Sequence, residues 1–185
     1  LFKKLVALKG DIVAEFNEKI EMYDSSLNLD PILNKINTIF ENKVGSPFES
    51  TELKAIYNEG EKRYKDKIPP GYCDLKKPDT DKFGDLIIWK QIILHSKNLG
   101  IDIIFISDDQ KEDWWLEHKG RTISARPELL KEFRDETKQI CHFYKPFQFL
   151  EYSNAYLGKS IKQAVIEEVK NHLTDQEKED NSPFL

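Results

Sequence analysis

Apolar residues recur at helical spacing through the first third of the chain: Leu5, Leu8, Ile12, Phe16 and Ile20, then Ile32, Leu33, Ile36, Ile39 and Phe40, then Leu53, Ile56 and Tyr57. Turn-forming clusters at Asp24-Ser25-Ser26, Asp30-Pro31 and Gly45-Ser46-Pro47 interrupt the pattern, so it predicts three or more helices. The character changes near residue 68. Ile68-Pro69-Pro70-Gly71-Tyr72 reads as a turn, and the lysine-rich stretch that follows, through Lys82, as an exposed loop. GDLIIWKQIILHSKNLG, from Gly84 to Gly100, is long enough for a helix and closes on an Asn-Leu-Gly stop signal. IDIIFIS at 101–107 is a β-branched run of strand length, and ICHFYK at 140–145 reads as a second strand. Between them, Pro127 opens the helical stretch PELLKEFRDETKQ, and helices near 147–157 and 160–173 follow.

Helices alternating with strands that are apolar on both faces predict an α/β fold, a parallel sheet flanked by helices. Residues 101–107 and 140–145 should be adjacent parallel strands with helix 84–99 packed on the sheet. The organisation expected is a helical segment over 1–66 packed on an α/β core over 67–173, with a flexible tail over 174–185, the whole forming one structural domain.

The segment FISDDQKEDWW, residues 105–115, places Asp108, Asp109, Glu112 and Asp113 just beyond the first strand. Like charges so close repel one another. Helix 85–99 is about 22 Å long at 1.5 Å per residue, and strand 101–107 climbs back about 23 Å at 3.3 Å per residue. The lengths nearly cancel, so Asp85 should return beside Asp108 and Asp109, at the carboxyl edge where open α/β sheets bind ligands. Carboxylates meeting within about 8 Å would form a hard oxygen site for Mg²⁺ or Mn²⁺. Each residue also has a plainer reading. Asp85 suits a helix N-terminus, Asp108 and Asp109 suit a turn cap, and Trp114 and Trp115 suit packing against the next helix as well as stacking on bases. Lys111 is placed to pair with an acid or to touch a phosphate.

Composition narrows the field. The 185 residues carry a net charge of −5, which argues against a surface that grips nucleic acid everywhere and leaves only local patches. Lys62, Arg63, Lys65 and Lys67 make a modest one, mixed with acids and readable as a solvated helix face. Two cysteines, Cys73 and Cys141, build no disulfide framework, and His95, His118, His142 and His172 have no metal-ligand spacing, which disfavours zinc. Phosphate-binding glycine loops and nucleophile elbows are not found. Without a run of about 18 apolar residues, the expected compartment is the cytoplasm.

Four blocks in order, IPPGYCDLKK (68–77), KFGDLIIWKQII (82–93), IIFISDDQKEDWW (103–115) and SARPELLKEF (124–133), together resemble the PIN-like nuclease domain over roughly residues 50–157. The branch resembled combines a PPGY loop, a GDLIxW helix and an SDDxKxDWW turn. The resemblance implies a three-layer, Rossmann-like parallel sheet and a metal-dependent endoribonuclease hydrolysing phosphodiester bonds of single-stranded RNA, with water activated at Mg²⁺ or Mn²⁺. It assigns metal binding to Asp85 and Asp109, with Asp108 as the neighbouring choice, and adds Asp113 as the later acid of the turn. Lys111, Arg126 and Tyr72 are the candidate substrate contacts.

The sequence departs from that family at its start. Such domains open with a strand ending in aspartate and carry a glutamate on an early helix. Residues 1–8 do not resemble the strand, and Glu15, Glu18 and Glu21 have no local motif. The segment 11–66 then reads as an insertion before the shared core. The chain is accordingly expected to be a piece of a longer protein, its site completed by an upstream segment or a protein partner, and weak or inactive in cleavage alone. Two alternatives stand beside the nuclease: a catalytically silent PIN-like module that binds RNA or protein, and an acidic α/β scaffold without metal.

Overall fold

The computed structural model describes residues 30–119 and 121–180. Its contacts divide the chain into two compact units, Leu1–Pro47 and Phe48–Leu185. In the first, helix α1 (Pro31–Phe40) starts at Asp30, whose carboxylate accepts the N–H groups of Ile32 and Leu33, with Pro31 at the first helical position. The helix expected over Leu5–Ile20 and the glutamates at 15, 18 and 21 lie outside the described residues.

The second unit contains α2 (Ser50–Lys65), α3 (Gly84–Leu99), β1 (Ile103–Ile106), β2 (Trp115–His118), β3 (Arg121–Ala125), α4 (Pro127–Thr137), β4 (Cys141–Tyr144), α5 (Pro146–Tyr156) and α6 (Gln163–Asp180). Helix α2 groups with this unit because Ile56 and Tyr64 pack with Phe83 and Leu86 in one cluster. The compact unit therefore begins well ahead of the composition change near residue 68. Helix α6 continues to Asp180, six residues past the point where composition suggested a tail.

Strands β1 and β4 pair in parallel, Ile103 opposite Cys141 through Ile106 opposite Tyr144, as the two apolar runs predict. Asp102 fixes where they begin by accepting the N–H of Ile140 at 2.8 Å. Because successive side chains alternate across a strand, the sheet has two distinct faces. Ile103, Phe105, Cys141 and Phe143 face the main core, where Trp89 and Ile93 of α3 meet Leu129 and Phe133 of α4. Tyr144 points the other way and packs against Tyr152 of α5, ring centroids 5.2 Å apart. Helices thus lie on both sides of a parallel sheet, the three-layer α/β arrangement. The sheet is narrower than a central strand implies: among the described residues it has two strands, and Ile104 and Ile106 on its second face are exposed.

The core is aromatic. Trp89 is fully buried and contacts Trp114, Phe133 and Phe143, so truncating it to alanine should cost about 3–5 kcal/mol. Trp114 and Trp115 are 2% and 3% exposed, which settles their role as packing rather than base stacking. Trp115 also starts an antiparallel hairpin, β2–β3, that hydrophobic periodicity did not reveal. Its turn passes through Lys119 in the left-handed region, φ +51°, and a bulge between Leu116 and Glu117 shifts the register.

The loop after α2 departs most from expectation. Pro69, Pro70, Gly71 and Asp74 are buried, not exposed, because two long-range anchors hold the loop down. Arg63 stands in the supposed solvated patch, yet it is 7% exposed. Its guanidinium grips Glu132 of α4 through both nitrogens, at 2.6 and 2.7 Å, and donates to the Pro69 carbonyl. Glu132 also accepts from Trp89 Nε1 at 2.9 Å and Lys90 Nζ at 3.3 Å, tying α2, α3, α4 and the loop together. The second anchor is Asp113, 42 positions from Gly71, whose Oδ2 accepts the N–H groups of Gly71 and Cys73.

Candidate acidic site

Three segments meet at the carboxyl edge of β1. Asp109 lies in the turn after the strand, Asp85 in the first turn of α3, and Asp74 at the end of the buried loop. Lys111 stands between them: its ammonium is 3.1 Å from Asp74 Oδ2 and 3.2 Å from both Asp85 Oδ2 and Asp109 Oδ2. Since both oxygens touch one nitrogen, those of Asp85 and Asp109 lie no farther apart than twice 3.2 Å. The cancelling lengths of helix and strand bring these two acids together as the sequence predicts.

Each acid has a second fixed contact. Asp74 Oδ2 accepts from Lys77 Nζ at 2.8 Å, Asp85 Oδ2 from the Trp114 indole N–H at 3.3 Å, and Asp109 Oδ1 from the Lys111 backbone N–H at 2.8 Å. The Asp109 peptide is clamped as well. Its N–H donates to Ser107 Oγ, and its carbonyl accepts from Trp115 Nε1 at 2.5 Å and from Lys145 Nζ at 2.9 Å. Lys145 is 6% exposed and lies 4.3 Å over the Trp115 ring, a cation–π contact.

Charge follows the geometry. Burial would depress the Lys111 pKa, but hydrogen bonding and attraction from Asp74, Asp85 and Asp109 outweigh it and hold the lysine above its usual range. Burial would raise Asp74, yet Lys77 and Lys111 overcome it and hold this carboxyl below its ordinary value. The pair therefore stays ionised from both sides. Asp113 differs: burial pushes its carboxyl up, only partly opposed by the Cys73 amide and Lys111.

The remaining candidates separate. Asp108 is exposed. Asp113 is fully buried with its Oδ2 committed to the loop amides and its Oδ1 without a hydrogen-bond partner, so it supports the site through the loop. Arg126 pairs with Glu128 at 2.8 Å. Tyr72 is half-buried, and burial followed by the charge of Glu112 pushes its hydroxyl up to about 12. Asp74 and Lys145 had no part in the sequence reading. Asp74 falls in the lysine-rich stretch expected to be exposed, and Lys145 closes the second strand with no local signal of its target.

Three carboxylate oxygens facing one point are the hard donors that Mg²⁺ and Mn²⁺ prefer. The donor types fit such an ion, but they stand at ammonium distance, not at the roughly 2.1 Å of a Mg²⁺ bond. Among the described residues no group of three or more His, Cys, Asp or Glu side chains is arranged to hold a metal ion. Both cysteines are free thiols, Cys73 exposed and Cys141 buried. No described helix is long and apolar enough to cross a membrane.

The chain matches the model of the PIN like domain family over residues 1–129. That span starts earlier than the resemblance over 50–157, taking in the segment read as an insertion, and it ends inside α4, before β4. No curated protein and no solved structure matches the chain. PIN-like domains belong generally to a nuclease superfamily and generally use divalent metal ions. With 129 of its residues under one family model, the chain belongs to the PIN-like domain family.

Proposed function

We propose that the protein is a metal-dependent endoribonuclease that hydrolyses phosphodiester bonds of single-stranded RNA. The observation that carries this reading is the convergence of Asp74, Asp85 and Asp109, from three segments distant in sequence, at the carboxyl edge of β1. Anions gathered at such an edge repel unless a cation offsets them, and these three are each fixed by a second donor. Asp85 and Asp109 are the principal ligands for Mg²⁺ or Mn²⁺, with Asp74 the third and exposed Asp108 a reserve. When bound, the ion supplies Lewis acidity to a water and to the phosphodiester oxygens.

The chain's own residues do the rest. Trp114 fixes the Asp85 carboxylate, and Ser107, Trp115 and Lys145 fix the peptide of Asp109. Lys111, which touches the acids, is assigned with Arg126 and Tyr72 to the RNA strand, the cations toward phosphate. A cytoplasmic setting and completion of the site by a further segment or protein partner belong to the same proposal.

A second reading is favoured by one observation: the Lys111 ammonium already pairs with all three acids. On it the protein is a silent PIN-like module that binds RNA or protein without cutting. A time course on end-labelled single-stranded RNA with Mg²⁺ or Mn²⁺, beside EDTA and the double variant Asp85→Asn/Asp109→Asn, separates the two. Cleavage lost with EDTA and in the variant supports the nuclease. RNA that is bound but never cut supports the silent module, and cleavage that survives both treatments ends the metal-nuclease reading.

A further inference from the structure

We propose that Lys111 is the resident cation of the Asp74, Asp85 and Asp109 triad and that a divalent ion enters this site only by displacing the Lys111 ammonium. The proposal rests on the metal site of the nuclease reading but needs no RNA.

The first argument is spatial. One nitrogen lies 3.1, 3.2 and 3.2 Å from three carboxylate oxygens. An ion shared by all three acids takes the central point where Nζ now stands, with each oxygen closing in by about 1 Å to reach a bond of about 2.1 Å. Two cations cannot share it: two unit charges 4 Å apart already repel by about 4 kcal/mol at an effective dielectric constant near 20, and a divalent ion doubles this. Site occupation by metal and by ammonium are therefore mutually exclusive.

The second argument concerns what remains when Lys111 leaves. Asp74 keeps Lys77, Asp85 keeps the Trp114 indole, and Asp109 keeps the Lys111 backbone N–H along with the three-point clamp on its peptide. None of these contacts uses the Lys111 ammonium, so the acids stay held around the vacated point and need close in by only about 1 Å to bond an ion there. The third argument is the exit. The Lys111 side chain is 33% exposed against 10%, 18% and 22% for Asp74, Asp85 and Asp109. It is also a flexible four-carbon stem whose head is strongly hydrated in water. The most exposed and most adaptable member of the cluster is the one that has to move. Exchange also suits the charge, since one ammonium offsets three carboxylates only in part.

The test is Mn²⁺ titration by calorimetry on the wild-type protein, Lys111→Met and Lys111→Arg, without RNA. Removing the competing cation should tighten Mn²⁺ binding by about tenfold or more in Lys111→Met, whereas Lys111→Arg, which keeps the charge, should bind no tighter than wild type. Wild-type protein supplies an independent readout that does not depend on the variants folding. Mn²⁺ should speed acetylation of Lys111 by acetic anhydride, followed by peptide mass mapping, because the displaced amine enters solvent. Equal or weaker Mn²⁺ binding by a folded Lys111→Met protein, or Lys111 acetylation unchanged or slowed by Mn²⁺, overturns the exchange while leaving the metal site standing. Failure of both wild type and Lys111→Met to bind Mn²⁺ overturns the exchange and the metal-nuclease reading together.

Discussion

Asp113 Oδ2 accepts the backbone N–H of Gly71 at 2.9 Å, across 42 positions of sequence, and that of Cys73 at 3.0 Å. The loop that delivers Asp74 to the acidic site is thereby pinned from beneath. Asp113→Ala should leave two amides without their acceptor, at about 1–3 kcal/mol for each that stays buried. Chemical denaturation at neutral pH measures the loss. Asp113→Asn, which keeps the shape and one acceptor oxygen, should lose less, and equal stability of wild type and Asp113→Ala would contradict the anchoring role.

Much of the fold could be read from local pattern, and the reasons are specific. The apolar runs at 101–107 and 140–145 have strand length and helical neighbours, so their parallel pairing follows from connection rules. The proximity of Asp85 and Asp109 follows from matched lengths of one helix and one strand. Asp74 was hidden because its position depends on Asp113 and Arg63, contacts that span 42 and 6 positions and leave no periodic trace. The hairpin was hidden by its shortness: strands of four and five residues, with a bulge that breaks the alternation. Lys145 shows the same limit, since nothing in CHFYK reveals that its ammonium reaches back to Asp109.

Glu132 sets the acid limit of stability. Burial alone would raise its pKa, but hydrogen bonds and attraction from Arg63, with help from Trp89 and Lys90, hold it below the ordinary value of 4.5. A carboxyl depressed in the folded state stabilises above its unfolded pKa and loses that contribution as pH falls through the folded one. Stability should therefore decline below about pH 4.5, and Glu132→Gln should flatten that limb. At neutral pH the same variant leaves the buried Arg63 guanidinium with Glu59 alone as its carboxylate partner, a loss that should approach the roughly 3–5 kcal/mol of a broken buried pair. Denaturant midpoints measured from pH 7 to pH 3 on both proteins decide it.

Lys145 should act on turnover without touching substrate. Its Nζ holds the Asp109 carbonyl and covers the Trp115 ring, so Lys145→Met should let the Asp109 turn drift while the hydrophobic stem still fills the core. A displacement of about 1 Å at a reacting group costs up to about a hundredfold in rate. The expected signature is a fall in kcat with KM for RNA nearly unchanged and partial rescue in Lys145→Arg. An effect confined to melting temperature would mark Lys145 as a purely structural residue.

Asp74 offers the sharpest test of the site as the fold assembles it, because the resemblance pointed to Asp85 and Asp109 and did not include it. If the three acids share one ion, Asp74→Asn should cut kcat for RNA cleavage in the same sense as Asp85→Asn and Asp109→Asn. The losses for the latter two should be about two orders of magnitude, since an ion that acts on the transition state registers in turnover more than in substrate binding. The loss for Asp74→Asn should be smaller, because the neutral amide still offers an oxygen. It should be reduced further by raising Mn²⁺, which a residue that merely props the loop would not allow. The comparison is a set of single-turnover rates over a range of Mn²⁺ concentrations for the three variants. Folding of Asp74→Asn is checked through the Trp89–Trp114 core, whose indoles pack edge to face with centroids 6.2 Å apart and report on it by near-ultraviolet circular dichroism. A folded Asp74→Asn protein that cuts at the wild-type rate at every Mn²⁺ concentration would remove Asp74 from the ligand set and return it to its ion pairs with Lys77 and Lys111.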